Sequence, residues 1–398
     1  MPRDTTPAAL LSLLMAAPAS ASILFAASYN DHSVTALNLE GSSLSTVATS
    51  YDCGSEPTWL TLDHSKSILY CLNEGWGGSA SITAYKTNAN TASANLETLD
   101  ILPVLKSPVS STLYGPNNSG LAIAFYDTST FGTFSVGDPS SLGLLHNETY
   151  TLDAPGPDPD RQEVPHLHQT ILDPTKRFIV VPDLGADLLR IYEIESGSTS
   201  VTAVSTVNAV PGSGPRHGAF SVIGNKIFFY TVNELSNTIT GYRVEYEGDS
   251  APEFTQLFDF STHGPDGTVP EGTKASEIVV SEDQRYVIVS SRGENLLTIP
   301  NFDETDSTEL PSDPLITFAV DMETGMLDLV QVAPAGGRNP RGFSLNKSGT
   351  LVASALQDDN RVVIIERHSG TGLLGDIVAH ATVGVGENNG PNFVIFNE

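Results

Sequence analysis

Apolar and polar residues follow one pattern that recurs several times along this chain. Each copy consists of a short apolar strand, a polar turn, a second apolar strand and a hairpin into a third strand. One copy begins at His168, and others begin near His217, Ser276 and Arg341. Alternation with a period of two predicts half-buried β-strands, and the turn sequences between them, such as Asp-Pro and Lys-Ser-Gly, predict tight reversals. Because one copy cannot bury its own apolar face, the pattern favours stacked repeats.

The spacing of the copies indicates which kind of repeat is present. The innermost strand of each unit is expected near Trp59, Thr112, His168, His217, Glu277 and Gly342, with a closing strand at Asn392–Phe396. These markers lie roughly fifty to sixty-five residues apart, which suits four-stranded propeller blades better than shorter solenoid repeats. Strong helical periodicity is nearly absent, so the fold is expected to be all-β.

The two ends of the chain complete the repeat count. Ile23–Tyr29 and Val34–Leu39 are predicted strands with no partner before them, whereas Asn392–Phe396 is a single strand with no hairpin after it. Joined in one blade, these segments close a ring and remove the exposed edges of an open sheet. We therefore predict an all-β, seven-bladed β-propeller closed by pairing of the N- and C-terminal strands, with residues 22–398 as a single domain.

The charge of the chain limits its partners. The 398 residues include 47 acidic and 19 basic side chains, which gives a formal net charge of -28. An acidic field without a basic stripe repels nucleic acid and anionic membrane, so neither is expected as a partner. No apolar run beyond the N-terminal segment is long enough to span a bilayer, and the pattern does not specify an oligomeric state.

The N-terminal segment resembles a processing signal. Ala8–Ala21 is rich in Ala and Leu, follows Arg3 and ends in a small-x-small cleavage pattern, so residues 1–21 are predicted to be a signal peptide of a secreted protein. The alternative is a disordered or helical extension of a cytoplasmic protein. Three glycosylation sequons are compatible with export, at Asn117, Asn147 and Asn346.

Only two cysteines occur, Cys53 and Cys71, and they flank one predicted hairpin. Adjacent strands could bring them together, so an oxidising compartment would permit a disulfide, whereas two buried thiols are the alternative. A single pair cannot form a cysteine zinc site, and neither cysteine has a neighbouring histidine suggestive of a nucleophile.

A propeller brings the residues that precede its innermost strands to one end of a central channel. Polar side chains at these positions come from several blades, together with residues at the end of a second strand: His166, His168, Arg216, His217, Glu277, Arg338, Arg341, Asn233, Glu234 and Arg292. We expect them to converge although they are far apart in sequence.

Several stretches resemble the seven-bladed lactonase family, which includes propeller-type 6-phosphogluconolactonases and fungal 3-carboxy-cis,cis-muconate lactonizing enzymes. The matching stretches are PHLHQTILDPTKRFIVVPDLGADLLRIYEI (Pro165 to Ile194), GPRHGAFS through VNELSNTITGY (Gly214 to Tyr242), ASEIVVSEDQRYVIVSSRG (Ala275 to Gly293) and NPRGFSLNKSGTLVASALQDDNRVVIIER (Asn339 to Arg367). They cover most of the chain after residue 165, whereas the first three blades match more loosely.

The resemblance implies an enzyme with a metal-independent site at one end of the channel and no cofactor. Four residues match the family's proposed catalytic positions, namely His168, Arg216, Glu234 and Arg292. The substrate-binding candidates are His166, which is also the second candidate for the histidine role, His217, Glu277 and Arg341. The implied reaction is hydrolysis of a sugar lactone, as in 6-phosphogluconolactonase, or ring closure of 3-carboxy-cis,cis-muconate.

The chemistry of these residue types supports such a reaction. Opening or closing a lactone moves negative charge onto oxygen or a carboxyl-stabilised carbon, and arginines bind such charge in a bidentate way. A histidine or glutamate within hydrogen-bond reach can activate water or move the proton. Arginines that converge inside an acidic protein create a local positive focus, so the expected partner is a small anionic lactone or polycarboxylate.

Structural roles are the alternatives for the same residues. Arg216 and Arg341 both follow a proline and could tie neighbouring blades together through backbone carbonyls, and Glu234 or Glu277 could pair with them. His166 and His168 lie two residues apart as metal ligands sometimes do, but no third ligand has a fixed spacing, so no metal is predicted. A non-catalytic propeller that binds a protein or glycan through its loop face is the alternative function. A secreted protein would not meet the intracellular substrates of the family, so export would imply either another lactone or a loss of activity.

Overall fold

The described regular structure is almost entirely β-strand, as the alternating pattern predicts. The computed structural model describes residues 22–88, 94–386 and 388–398, so the predicted signal peptide lies outside the described residues. One short 3-10 turn, Pro116–Asn118, accompanies thirty strands. In the described part of the chain, no helix is long and apolar enough to cross a membrane.

The strands form seven four-stranded antiparallel sheets, which are numbered here as blades 1 to 7. Blade 1 contains β1 (Ser22–Ser28), β2 (Ser33–Glu40), β3 (Ser43–Ser50) and β30 (Pro391–Phe396). Blade 2 contains β4 (Pro57–Asp63), β5 (Ile68–Asn73), β6 (Ala80–Thr87) and β7 (Leu96–Val104), and blade 3 contains β8 (Pro108–Tyr114), β9 (Gly120–Phe125), β10 (Thr130–Ser135) and β11 (Gly143–Thr149). Blade 4 contains β12 (Ile171–Leu172), β13 (Phe178–Asp183), β14 (Leu188–Ile194) and β15 (Val201–Asn208).

The remaining three blades follow the same plan. Blade 5 contains β16 (Pro215–Ile223), β17 (Lys226–Asn233), β18 (Thr238–Glu245) and β19 (Glu253–Ser261). Blade 6 contains β20 (Lys274–Val280), β21 (Tyr286–Arg292), β24 (Pro314–Val320) and β25 (Leu327–Pro334), with an inserted hairpin of β22 (Leu297–Pro300) and β23 (Glu309–Ser312). Blade 7 contains β26 (Pro340–Leu345), β27 (Leu351–Leu356), β28 (Arg361–Arg367) and β29 (Leu374–Thr382).

The ring closes through blade 1. The C-terminal strand β30 pairs antiparallel with β1, from Leu24 opposite Phe396 to Ser28 opposite Pro391. The other innermost strands, β4, β8, β12, β16, β20 and β26, lie at or next to the positions expected from the sequence. The prediction of an all-β, seven-bladed propeller closed by its terminal strands is therefore confirmed.

The core lies between neighbouring blades. The second strand of a blade is buried on both faces, as in β5, where all six residues are buried, whereas the outermost strand β3 alternates between exposed and buried residues. This difference explains why second strands read as continuous apolar runs and outer strands as alternating ones. Each large apolar cluster contains residues of two or more adjacent blades, so the core forms only when neighbouring blades pack together.

A disulfide joins the two cysteines. Cys53 precedes β4, Cys71 lies in β5, and both side chains are fully buried with their Cα atoms 6.0 Å apart. Of the two alternatives left open by the sequence, the structure therefore contains the bridge. It links the entry loop of blade 2 to the second strand of the same blade.

The three glycosylation sequons differ in accessibility. Asn117 and Asn147 are exposed, whereas Asn346 is only 8% exposed. The side-chain oxygen of Asn346 accepts hydrogen bonds from the backbone N–H groups of Thr350 and Leu351, both at 2.9 Å. Only Asn117 and Asn147 are therefore placed to carry a glycan on the folded protein.

Candidate active site

Every innermost strand begins with the same local irregularity. In blade 5, Pro215 pairs with Asn233 and His217 pairs with Val232, so Arg216 is an extra residue between two ladder partners. Such a bulge turns a side chain out of the regular pleat. The equivalent residue of each blade, called here the bulge position, is Asn392, Thr58, Val109, His168, Arg216, Ser276 and Arg341 for blades 1 to 7.

Two further positions repeat around the channel. The residue after the bulge position is Phe393, Trp59, Ser110, Gln169, His217, Glu277 and Gly342 in blades 1 to 7. The third position lies on the second strand of each blade. It is the residue after the one that pairs with the innermost strand just before the bulge, and it is called here the strand-end position: Tyr29, Glu74, Tyr126, Leu184, Glu234, Arg292 and Gln357 in blades 1 to 7. Because the strand register is equivalent in all seven blades, residues that are distant in sequence lie at the same height along the propeller axis.

These positions line a single cavity in the channel. Its walls are Thr58, Trp59, Val109, His168, Arg216, His217, Glu277, Arg341, Asn392 and Phe393. All ten residues occupy the bulge position or the position after it. Five predicted site residues thus share one small space, as the sequence led us to expect.

Glu234 is the centre of an arginine cluster beside this cavity. Its Oε2 atom accepts hydrogen bonds from Arg216 Nε at 2.8 Å and Arg292 Nη2 at 3.0 Å, and its Oε1 atom from Arg161 Nη2 at 2.6 Å. Burial opposes ionisation, but Arg292, Arg216 and further cations outweigh it and hold the pKa of Glu234 well below its usual value. The carboxylate therefore stays ionised and fixes three guanidinium groups.

One of these arginines also ties two blades together. Arg216 Nη1, from blade 5, donates to the backbone carbonyl of Ser276 in blade 6 at 2.9 Å, whereas Arg292 Nη2 donates to that of Ala275 within its own blade at 3.2 Å. Burial and then Arg292 lower the pKa of Arg216 to about 9, so Arg216 keeps its proton at neutral pH. The structural role considered for Arg216 is therefore present, together with its place in the cavity wall.

A chain of hydrogen bonds connects a carboxylate to two histidines. Glu277 Oε1 lies 2.9 Å from His217 Nδ1, and His217 Nε2 lies 3.2 Å from His168 Nδ1. A carboxylate oxygen accepts, so His217 carries its proton on Nδ1, accepts at Nε2 from His168, and leaves the Nε2 of His168 without a proton. No described residue hydrogen-bonds to that nitrogen.

Both histidines are neutral at physiological pH. Burial, followed by the neighbouring Arg216 and His217, lowers the pKa of His168 well below its usual value. Burial likewise lowers the pKa of His217 to about 4, although Glu277 acts in the opposite direction. The unprotonated nitrogen of His168 therefore remains a proton acceptor at neutral pH.

Arg341 differs from the other channel arginines. Within residues 22–88, 94–386 and 388–398, no group accepts a hydrogen bond from its guanidinium, which lies 5.7 Å from the ring centre of Tyr29. Burial disfavours its charge, but Tyr29, Glu74 and Glu234 raise the pKa of Arg341 above its usual value. Arg341 thus presents a permanent positive charge to the cavity.

His166 does not reach the cavity with His168. Its ring stacks on Tyr126 with centroids 4.1 Å apart, its Nδ1 lies 3.1 Å from the Tyr126 carbonyl oxygen, and its Nε2 lies 3.3 Å from Glu163 Oε1. Tyr126 also contacts His168 edge-on at 5.4 Å, so it separates the two histidines. The structure thus places His166 behind the channel wall.

Two residues of the site, Arg161 and Glu74, were not identified from the sequence. Arg161 lies in the irregular segment before blade 4, and only the tertiary fold shows that it reaches Glu234. Glu74 occupies the strand-end position of blade 2, and the Asn-Glu pair at residues 73–74 repeats the Asn-Glu pair at residues 233–234. That repetition was the available signal for Glu74.

A recess of about 680 Å³ opens beside Glu234. Arg161 and Lys274 line it together with acidic and small polar residues. A larger cavity of about 1030 Å³ lies at the opposite end of the blades, beside the turns that contain Lys66 and Lys176. Its wall contains the carboxylates Glu193, Glu195 and Asp249 but none of the predicted site residues.

No group of three His, Cys, Asp or Glu side chains has metal-binding geometry in the part of the chain that the structure describes.

Comparison with known proteins identifies relatives along nearly the whole chain. The family described as "Lactonase, 7-bladed beta-propeller" matches residues 21–389. The chain is 29% identical to an Arthroderma benhamiae protein named "Probable 6-phosphogluconolactonase", over 80% of this chain and 75% of that protein. It is 27% identical to the 6-phosphogluconolactonase of Bacillus subtilis, over 80% of this chain and 82% of the relative.

Solved structures share the fold. The periplasmic gluconolactonase of Pseudomonas aeruginosa superposes with a TM-score of 0.77 at 24% identity, covering 95% of this chain and 99% of that one. A protein from Lactobacillus plantarum superposes with a TM-score of 0.76 at 23% identity, covering 95% and 100% of the two chains. These likenesses establish the propeller architecture.

Proposed function

The chain belongs to the seven-bladed β-propeller lactonase family, and from this we propose that it hydrolyses a small anionic lactone in the central channel. The observation that carries the proposal is the hydrogen bond from His168 Nδ1 to His217, which leaves His168 Nε2 available as a proton acceptor in the wall of a cavity that Arg341 also lines. The cavity of about 10 Å³ has room for about one water, so a base, an anion-binding group and a site for the attacking water lie together, as hydrolysis of an anionic lactone at the channel requires.

His168 is the proposed general base. Its Nε2 takes a proton from the water that attacks the lactone carbonyl carbon, because His168 is neutral and its other nitrogen is held by His217. Glu277 then stabilises the positive charge shared by the two imidazoles through its bond to His217. General base catalysis of this kind contributes about 10²- to 10⁴-fold to a rate.

Arg341 and Arg216 are proposed to bind negative charge. Attack on the carbonyl develops an oxyanion, and guanidinium groups in a buried cavity stabilise it more strongly than they could in water. In this role Glu234 and Arg292 position Arg216, and the names of the curated relatives support a sugar lactone as the substrate class.

The test is a substrate panel followed by NMR. Purified protein is incubated with 6-phosphogluconolactone, glucono-lactone and 3-carboxy-cis,cis-muconate, and the spontaneous hydrolysis rate of each lactone is subtracted. We expect accelerated ring opening of an anionic lactone, and a loss of at least about 100-fold in His168→Gln. Ring closure of the muconate without lactone hydrolysis would favour the cycloisomerase activity instead, and no turnover of any compound would overturn the enzyme assignment.

A further inference from the structure

Glu74 is the counterpart of Glu234 on the other side of the channel. Each glutamate follows an asparagine at the end of a second strand, and each backbone N–H donates to the residue two before the bulge position. These bonds measure 3.0 Å from Glu74 to Glu56 and 2.8 Å from Glu234 to Gly214. The propeller therefore carries two buried carboxyl groups at equivalent positions of one channel.

The two carboxyl groups have opposite surroundings. Glu234 contacts three guanidinium groups, whereas no cation among the described residues lies within ion-pair distance of Glu74. The hydroxyl of Tyr29 donates to Glu74 Oε1 at 2.5 Å, and the indole N–H of Trp76 donates to Oε2 at 2.7 Å. Burial raises the pKa of Glu74 although the charge of Arg341 acts in the opposite direction. Because of this difference, Glu74 is suited to carry and release a proton, whereas Glu234 stays ionised.

A chain of hydrogen bonds leads from Glu74 to the cavity. The Tyr29 hydroxyl that contacts Glu74 also lies 2.8 Å from Thr58 Oγ1. Thr58 occupies the bulge position of blade 2 and lines the cavity together with His168. When Glu74 is ionised, both hydroxyls donate toward it; when Glu74 holds a proton, the chain reverses and Thr58 donates into the cavity.

We propose that Glu74, Tyr29 and Thr58 form a proton relay that protonates the leaving ring oxygen during lactone hydrolysis. The inference rests on the function proposed above and adds the acid that complements the base His168. Thr58 is the catalytic member because it contacts the reacting oxygen, and Tyr29 and Glu74 act behind it.

The step balances in atoms and charge. The oxygen of water bonds to the carbonyl carbon while His168 takes its proton, and the bond from that carbon to the ring oxygen breaks with its electron pair on oxygen. The ring oxygen takes the hydroxyl proton of Thr58, which is replaced from Tyr29 and finally from Glu74. His168 releases its proton to solvent and Glu74 takes one back, so one water is consumed for each ring opened.

Leaving-group dependence tests the relay. The variant Glu74→Gln keeps the size and hydrogen bonds of the side chain but cannot supply the proton. For an aliphatic lactone, which releases an alkoxide, we expect kcat/KM to fall about 100-fold, whereas a carboxylated dihydrocoumarin, which releases a phenoxide, should lose less than about threefold. Equal losses on both compounds, or no loss on either, would overturn the relay. Inactivity of the unmodified protein on both lactones would overturn the proposed function and the relay with it.

The pH profile and a second variant make the result independent of folding. Glu74 is active as the acid, so kcat/KM for the aliphatic lactone should decline as pH rises through its raised pKa, and Glu74→Gln should lack this decline. Tyr29→Phe should reproduce the Glu74→Gln pattern, and the double variant should be no worse than either single variant because all three break one chain. Tyr230→Phe is the matched control, since its buried hydroxyl contacts the carbonyl of Gly325, outside the channel wall. Losses that multiply in the double variant would contradict a shared relay.

Discussion

Replacing Glu234 with Gln removes the negative charge that three arginines contact directly. Arg161 is 28% exposed and can turn toward solvent, whereas Arg216 is 2% exposed and cannot. Removing one member of a buried ion pair costs about 3–5 kcal/mol, because the remaining charge stays buried without compensation. We therefore expect Glu234→Gln to lower the free energy of unfolding by about 4 kcal/mol.

Calorimetry gives the magnitude in degrees. An unfolding entropy of about 2.1 cal/mol/K per residue implies that 4 kcal/mol corresponds to a decrease of about 5 °C in Tm for a chain of this length. Glu195→Gln is the matched control, because Glu195 is exposed and no described side chain contacts its carboxylate. Its Tm should remain within about 1 °C of the parent protein, since isolated surface substitutions change stability little.

The pH dependence and a double variant test the cause of the loss. The pKa of Glu234 is lower in the folded than in the unfolded state, so its contribution is complete above the unfolded value of about 4.3 and is lost only as pH falls below that. The difference between the two proteins should therefore be present at pH 5 and shrink as the pH is lowered further. Adding Arg216→Met should cost less in the Glu234→Gln background than in the parent protein. An unchanged Tm in Glu234→Gln would refute the reasoning.

Three further outcomes are expected. Burial lowers the pKa of His217 to about 4 from an unfolded value of about 6.5, so His217 should contribute about 3 kcal/mol to the loss of stability between pH 6.5 and 4, beside the contribution of His168. His217→Gln should reduce the loss by about that amount, which acid titration of the unfolding free energy measures. The disulfide closes a separation of 18 residues, so the double variant Cys53→Ala/Cys71→Ala should be less stable by about 3 kcal/mol in urea unfolding, and an equally stable variant would contradict this value. Mass spectrometry of protein expressed in a secreting host should find a mature N terminus at Ser22, where β1 begins, and retention of residues 1–21 would refute the signal-peptide prediction.

The architecture could be predicted because it depends on local patterns. Apolar alternation placed the innermost strands correctly, and the unpartnered strands at both ends indicated closure in blade 1. The bulge that aims side chains into the channel also has a sequence signature, since a proline directly precedes the bulge position in five blades, at Pro57, Pro108, Pro215, Pro340 and Pro391. A proline fits there because its missing N–H interrupts the ladder at a bulge.

The parts of the site that could not be predicted depend on contacts between distant segments. His166 and His168 were expected to share one face of an extended segment, but only Leu167 between them forms a bridge, and Tyr126 of blade 3 holds the ring of His166 away from the cavity. Arg161 lies in a segment without strand periodicity, so nothing local connects it with Glu234. Sequence reasoning thus identified the channel positions but not the partners that set their charge.

The protonation state of His168 tests the central claim most directly. Nitrogen-15 NMR of histidine-labelled protein at pH 7, with the His168 signals assigned by their absence in His168→Gln, reports which ring nitrogens carry protons. We predict a neutral ring with its proton on Nδ1 and an unprotonated Nε2, as the hydrogen bonds through His217 to Glu277 require. A doubly protonated His168, or a proton on Nε2, would contradict its role as the base that activates water.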